Sequence, residues 1–371
     1  ERLGANVSVG SSMDRTIASL SAVTTNLQPS LALLSDVVRN PAFAPAEIER
    51  LRATRLAALA NEKTQPAAIA GRALPPLIYG ESHPYGRSFG GTGDEAVIRG
   101  LSRDDLAAEH ARWIRPDNAQ LFVVSDLPLT ELKPQLEAAF GDWRAPATAK
   151  GAKAFDAALP QTSARVVLID RPQSPQSLIY GGQVLPVSGT DDILTLTTAN
   201  TVLGTDFLSR INADLRETKG WSYGVRGTIS QLENRAPYIV NAPVQADRTG
   251  ESIAALVSQY DRFLGAEGVT VQERERTVLG RTRALSGSYE TSYQVLGALQ
   301  SNALYGRPDD YPETLAGRIN ALTAQEMDAA ARAAIQPSRF VWVVVGDASV
   351  VKPQLDALGL PVEVRAAEAS K

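Results

Sequence analysis

The chain has 371 residues, 44% apolar and 21% charged, with a net charge of −4. At about 150 residues per domain this length suggests two or three domains, and the composition is globular rather than disordered. The charge balance argues against a sequence-blind grip on nucleic acid or anionic membrane. The absence of Cys excludes disulfides, zinc ribbons, Cys nucleophiles and iron–sulfur ligation within these residues.

Residues 5–11 and 15–24 alternate apolar and polar, which predicts two paired strands. Pro29 suits the first turn of a helix, which runs to Asn40 and Pro41. A longer helix is predicted over 46–63, with Ile48, Leu51, Leu56 and Leu59 on one face. Helices follow over 65–78, 103–115 and 129–140, with a strand at 119–125 between the last two. The second half predicts strands at 165–170 and 177–184, then helices at 191–203 and 207–218. Strands at 221–231 and 237–245 come next, then four or five helices across 250–334 and a strand at 339–346. Hairpins and runs of helices, without strict alternation, indicate an α+β class with a mainly antiparallel sheet. No run of about 18 apolar residues occurs, so no membrane-spanning helix is predicted.

His83 and His110 are the only histidines. Neither H-x-x-E-H nor H-E-x-x-H can be assembled from them. There is no G-x-S-x-G elbow for a serine nucleophile. His83 lies in a Pro/Gly loop and His110 on an amphipathic helix, and both read as structural. The Gly-rich run from Phe89 to Asp94 lacks the Lys-Ser/Thr of a phosphate loop and reads as a plain loop.

The chain repeats itself. Leu101-Ser102 through Ile114 and Pro116 to Asp126 mirrors Leu322-Thr323 through Ile335 and Pro337 to Asp347. Leu to Pro is 15 residues and Pro to Asp 10 in both copies. Each helix opens with a capping-box pattern, Ser102 with Asp105 and Thr323 with Glu326. Upstream, Tyr79-Gly80 mirrors Tyr305-Gly306. Two domains of one fold are expected, 1–145 and 164–371, joined by a patternless linker over 146–163. Overlaying the hairpins at 5–24 and 221–245 leaves about 56 residues, Ala164 to Lys219, without a counterpart in the first copy. The first domain is therefore expected to lack its first strands and helices, with a sheet face that another segment or chain would cover.

The element from Asn200 through Leu215-Arg216-Glu217 and Gly220 to Tyr223-Gly224-Val225 resembles one in the insulinase/pitrilysin family of inverted-zincin metallopeptidases. In that family, which includes mitochondrial processing peptidase and bacterial relatives, the element ends in LRE-x-x-G-x-x-YGV. Shorter matches are Asn40-Pro41-Ala42-Phe43, Tyr79-Gly80 with His83-Pro84-Tyr85-Gly86, Pro116-Asp117-Asn118 and Phe140-Gly141-Asp142-Trp143. Together they span most of the chain. The resemblance implies repeated α+β domains, each an antiparallel sheet with helices packed on one face. Four such domains, in two halves, form a clamshell around a chamber.

Family halves that hold zinc use H-x-x-E-H on a first-domain helix, plus a Glu seven residues beyond another Glu on the long helix after the hairpin. On the matching helix here, seven residues after Glu47 stands Thr54, and seven after Glu49 stands Leu56. The pair is absent, so no metal ligand is assigned and no cofactor is expected in this chain. The resemblance instead points to Arg216 and Tyr223, which the family donates to a zinc site on the opposite half. Tyr would give a neutral hydroxyl donor to a developing oxyanion, and Arg a permanently charged fork for carbonyl or carboxylate. Without the resemblance, Arg216 reads as a solvated helix-end cation before a Gly220 cap, and Tyr223 as a hairpin tyrosine.

The implied function is that of the non-zinc half of a metalloendopeptidase. Its implied partners are a zinc-bearing half, upstream in the same polypeptide or separate, and unfolded peptide substrates. Neither nucleic acid nor membrane is an expected partner. The rival is a catalytically inactive peptide-binding or scaffold protein with the same fold. The sequence does not fix the compartment, and a periplasmic one would suit a bacterial member.

Overall fold

A computed structural model of the chain describes residues 2–367. The elements run β1 (Asn6–Ser11), β2 (Thr16–Ser21), α1 (Leu27–Arg39), α2 (Pro45–Glu62), α3 (Pro66–Tyr79), α4 (Glu95–Gly100), α5 (Arg103–Trp113) and α6 (Leu129–Phe140). Then come β3 (Arg165–Asp170), β4 (Gln176–Val184), α7 (Leu194–Asn200), α8 (Arg210–Asn212), β5 (Arg226–Ile229) and β6 (Pro237–Gln245). The chain continues with α9 (Thr249–Leu264), α10 (Val271–Gly287), α11 (Ser292–Leu304), α12 (Tyr311–Ala321), α13 (Ala324–Ala334), β7 (Val341–Gly346), α14 (Ala348–Asp356) and β8 (Val362–Ala366).

By packing, the residues group into two units. One comprises residues 2–59 with 91–154 and 291–300; the other comprises 60–90, 155–290 and 301–367. In the first, β1 and β2 form the expected antiparallel hairpin, Asn6 opposite Ser21 and Ser11 opposite Thr16. Helix α1 packs on β2 and on α6. The Ser35 hydroxyl and the Arg39 guanidinium both donate to the Ala139 carbonyl. The strand predicted at 119–125 does not form. The segment keeps an alternating exposure, with Leu121 and Val123 outward. Among the described residues no ladder takes it up, and a strand exists only through its hydrogen-bonded neighbour. On α2, Leu59 is buried as predicted but Leu51 is exposed. Arg52, one position on, instead donates to the Ile98 and Leu101 carbonyls at the end of α4.

The second unit is built on a six-stranded sheet in the order β5-β6-β4-β7-β3-β8. Three of its five pairings are antiparallel, β5 with β6, β6 with β4 and β4 with β7, and β3 pairs parallel with β7 and β8. On one face Val166, Leu168, Ile179, Val240, Trp342 and Val344 join a continuous core with Leu256 and Phe263 of α9 and Met327 and Ala331 of α13. Each such large side chain, once buried, contributes about 1.5–3 kcal/mol. The alternate residues Val167, Ile169, Val343 and Val345 are buried too. Helix α3 lies against β4 and β7, with Leu74 and Ile78 buried. Strand β7 is thus covered on both sides, which is why 341–346 reads as an unbroken apolar run rather than an alternating one.

Both predicted capping boxes form, at Ser102 with Asp105 and at Thr323 with Glu326. Residues 146–163 adopt neither helix nor strand. They are nonetheless held: the buried Arg115 donates to the Thr148 and Pro146 carbonyls, and Phe155 packs on the His83 and Tyr85 rings. Tyr79 and Tyr305, the mirrored tyrosines, serve one turn. Their hydroxyls donate to the Arg235 and Gln231 carbonyls at 2.5 and 2.8 Å.

Candidate functional site

The segment carrying Arg216 and Tyr223 is irregular where it matters. Helix α7 continues as a π turn over 201–205 and stops at Asp206; α8 continues as a π turn over 213–218. Such widened turns insert a residue and re-aim the side chains beyond it. Arg216 sits on the second of them. The turn ends with Lys219 N–H donating to the Asp214 carbonyl and Trp221 N–H to the Leu215 carbonyl. Gly220 takes φ +67° between these contacts, the left-handed cap expected at this position. Lys219 Nζ also pairs with Asp214 at 2.5 Å.

Tyr223 does not begin a strand. The strand predicted over 221–231 shortens to β5, and Tyr223 lies in the loop before it. This loop is fixed on both sides of the tyrosine. Gln245 N–H donates to the Trp221 carbonyl. The Ser222 hydroxyl donates to the Pro243 carbonyl and accepts from Gly224 N–H. Val225 N–H donates to the buried Asn212 side chain at 2.8 Å. The Tyr223 ring is 89% exposed. It has no hydrogen bond among the described residues.

Arg216 is about one-third exposed, pairs with Glu217 at 3.1 Å, and lies over the Phe207 ring, 4.4 Å from its centroid. Phe207 and Leu208 are half-exposed in the break between the helices. Asn212 Nδ2 donates to the Phe207 carbonyl at 2.6 Å. One buried amide therefore ties the loop under Arg216 to the loop that presents Tyr223. Arg216 and Tyr223 share this surface segment, and their side chains make no hydrogen bond to each other. Sequence reasoning missed Phe207 and Asn212. An aromatic residue in a helix break was the only available sign of the first, and the second carries none.

The helix under Arg216 is anchored by Arg210, which grips Glu273 through two hydrogen bonds of 2.8 and 2.7 Å. Arg210 also donates to the Glu267 and Gly268 carbonyls. Burial pushes the Glu273 carboxyl upward, but hydrogen bonds from Arg210 and Thr270 outweigh it and hold the group below the usual glutamate range.

Residues 100–280 match the family described as "Peptidase M16 inactive domain", and residues 1–87 match "Insulinase (Peptidase family M16)". The chain belongs to the insulinase family of peptidases, M16. A Bacillus subtilis relative, "Uncharacterized zinc protease YmxG", is 21% identical over 90% of this chain and 78% of its own length. The crystal structure of the peptidase M16 inactive domain from Pseudomonas fluorescens is 25% identical with TM-score 0.83, covering 93% of this chain and 82% of that one. The periplasmic protease PqqL from Escherichia coli shares the fold at 16% identity and TM-score 0.71; 93% of this chain aligns with 38% of it.

The zinc of the family does not fit the residues present. Among the described residues no group of three or more His, Asp or Glu side chains could hold a metal ion. Both histidines are engaged as structural groups. His83 is buried, stacks on Tyr79 at 5.0 Å, and its Nδ1 accepts from Tyr85 N–H at 3.0 Å. His110 Nε2 lies 2.8 Å from the Val38 carbonyl and its ring meets Phe43 edge-on. The chain fits the non-zinc half of a zinc protease. The Gly-rich run 89–94 forms neither helix nor strand. No helix among the described residues is long and apolar enough to cross a membrane.

Proposed function

We propose that this chain is the non-zinc half of a metalloendopeptidase and lends Arg216 and Tyr223 to a cleft completed by a zinc-bearing half. The observation that carries the reading is Tyr223, 89% exposed and unpartnered on a loop whose neighbours are all tied down. A single exposed ring is ordinary, but Tyr223 shares its segment with the half-exposed Phe207 and Leu208, and clustered apolar exposure of this kind marks a contact surface. Its hydroxyl is a neutral donor suited to an oxyanion, and holding it in advance avoids reorganisation at the moment of reaction. Arg216, braced by the Phe207 ring, offers a fork to a substrate carbonyl or terminal carboxylate. The exposed Phe207, Leu208 and Tyr223 with Arg216 have the aromatic and Arg content of interface anchors. Unfolded peptides are the substrate class in this reading, and 1–145 is an incomplete copy of the fold of 164–371.

Steady-state cleavage of a fluorogenic peptide by the chain reassembled with its zinc-bearing half tests the proposal. Tyr223→Phe keeps the ring and removes the donor, and should lower turnover about 10²–10³-fold, or roughly 2.7–4 kcal/mol. The melting temperature should not move, because the hydroxyl has no partner to lose. Equal rates for Tyr223→Phe and the parent chain would instead support the scaffold reading.

A further inference from the structure

A second site lies far from Tyr223. A cavity of about 180 Å³ opens between the end of β4, the segment 159–162 and the turn before β6. Ile78, Leu159, Val184 and Leu185 give it apolar walls, and Arg235 and Arg339 line it without any carboxylate among the lining residues. Among the described residues neither guanidinium has a hydrogen bond or an ion pair. The tyrosine loop is tied to the Gln245 end of β6, whereas Arg235 precedes its Pro237 end. At about 3.3 Å per residue the two sites are roughly 26 Å apart.

The backbone at Arg235 is unusual. It holds φ +40°, a left-handed value that a side chain such as Arg rarely adopts. Such a conformation persists only where its surroundings over-determine it, and here they do. The Arg235 carbonyl accepts from the Tyr79 hydroxyl and its N–H donates to Ser188. Asn234 N–H donates to the Tyr85 hydroxyl, and the Gln231 carbonyl accepts from Tyr305. Three tyrosines thus clamp one turn. The Tyr79, His83 and Tyr85 motif, which the cleft around Tyr223 does not use, serves to set the Arg235 side chain beside the cavity.

We propose that this cavity binds a small carboxylate bearing an apolar tail. The walls take the tail and the two guanidiniums take the head. Arg suits a carboxylate through its planar fork, and a small cavity that mixes apolar side chains with Gln161, Thr162 and two guanidiniums suits a small acid with a short tail. The same chemistry is offered by the C-terminus of a peptide ending in an aliphatic residue and by a short fatty acid. The site does not depend on the role of Arg216 and Tyr223.

Calorimetric titration of the chain with N-acetyl-leucine and with octanoate tests this, each against its own carboxamide. One or both acids should bind at millimolar concentration or below, and the matching amide at least tenfold more weakly. The tighter acid identifies the source, peptide terminus or fatty acid. Arg235→Gly and Arg339→Gln should each weaken binding at least tenfold. Arg235→Gly should melt no lower than the parent chain, because Gly takes φ +40° freely, so lost binding is not lost folding. Amides that bind as well as acids, variants that bind unchanged, or no binding of either acid would overturn the proposal.

Discussion

Arg210 offers the most direct check on how the Arg216 helix is held. Arg210→Met keeps an aliphatic side chain of similar length but removes the guanidinium from over the Phe263 ring and four hydrogen bonds: two to Glu273 and one each to the Glu267 and Gly268 carbonyls. Breaking a fully buried ion pair costs about 3–5 kcal/mol, and an exposed one about 1 or less. The two side chains are 15% and 19% exposed, and Glu273 keeps the Thr270 N–H and hydroxyl after the change. The loss should therefore fall between those limits, at about 2–3 kcal/mol. Glu273→Gln preserves the capping-box geometry and removes the charge. Together the two variants close a double-mutant cycle with an expected coupling of about 1–2 kcal/mol.

The pH dependence follows from the depressed Glu273 carboxyl. An acid whose folded value is lowered stabilises above its unfolded value and loses that contribution as pH falls through the folded one. The cost of Arg210→Met should thus be full above the ordinary glutamate value of 4.5 and shrink as pH drops below it. Urea melts of the four chains at neutral pH and near pH 3 measure this. A coupling below about 0.3 kcal/mol, or equal costs at both pH values, would refute the account.

Two further outcomes can be read by melting. Gly227→Ala would place a methyl 2.2 Å from the Tyr238 hydroxyl, which is buried and hydrogen-bonded to Tyr260 at 3.0 Å. It should destabilise by about 1–3 kcal/mol as overpacking does, and an unchanged midpoint would contradict that packing. Burial pushes the His83 imidazole below its ordinary 6.5, so the folded chain holds it neutral and stability should fall as pH drops below that value. His83→Gln, which can still accept from Tyr85 N–H, should remove this slope below pH 6.5. Parallel slopes in variant and parent would sink the argument.

Much of the local structure was legible in the chain because it is local. Both capping boxes need only a hydroxyl and a carboxylate three residues apart. The Gly220 cap needs only a residue tolerant of positive φ after a helix. The β1–β2 hairpin and most of the helices follow from spacing and periodicity, whereas the short α4 and the late α14 are not predicted. The Arg216 and Tyr223 assignment came from a motif resemblance, not from geometry.

What the tertiary structure decided is non-local. Residues 119–125 have the alternation of a strand but no partner among the described residues, and β8, which sequence did not predict, exists because β3 offers it an edge. Helix α3 sits within the expected first domain by order, yet packs on β4 and β7. Tyr223 lies in a loop because Ser222 and Val225 are tied to Pro243 and Asn212, which stops the ladder at Arg226. Arg235 is set at positive φ by Tyr79, 156 residues away in sequence, and by Tyr85, which accepts from Asn234, 149 residues away from it. Periodicity and capping report what a segment can do alone; which backbone groups find partners across the fold is settled only when distant segments meet.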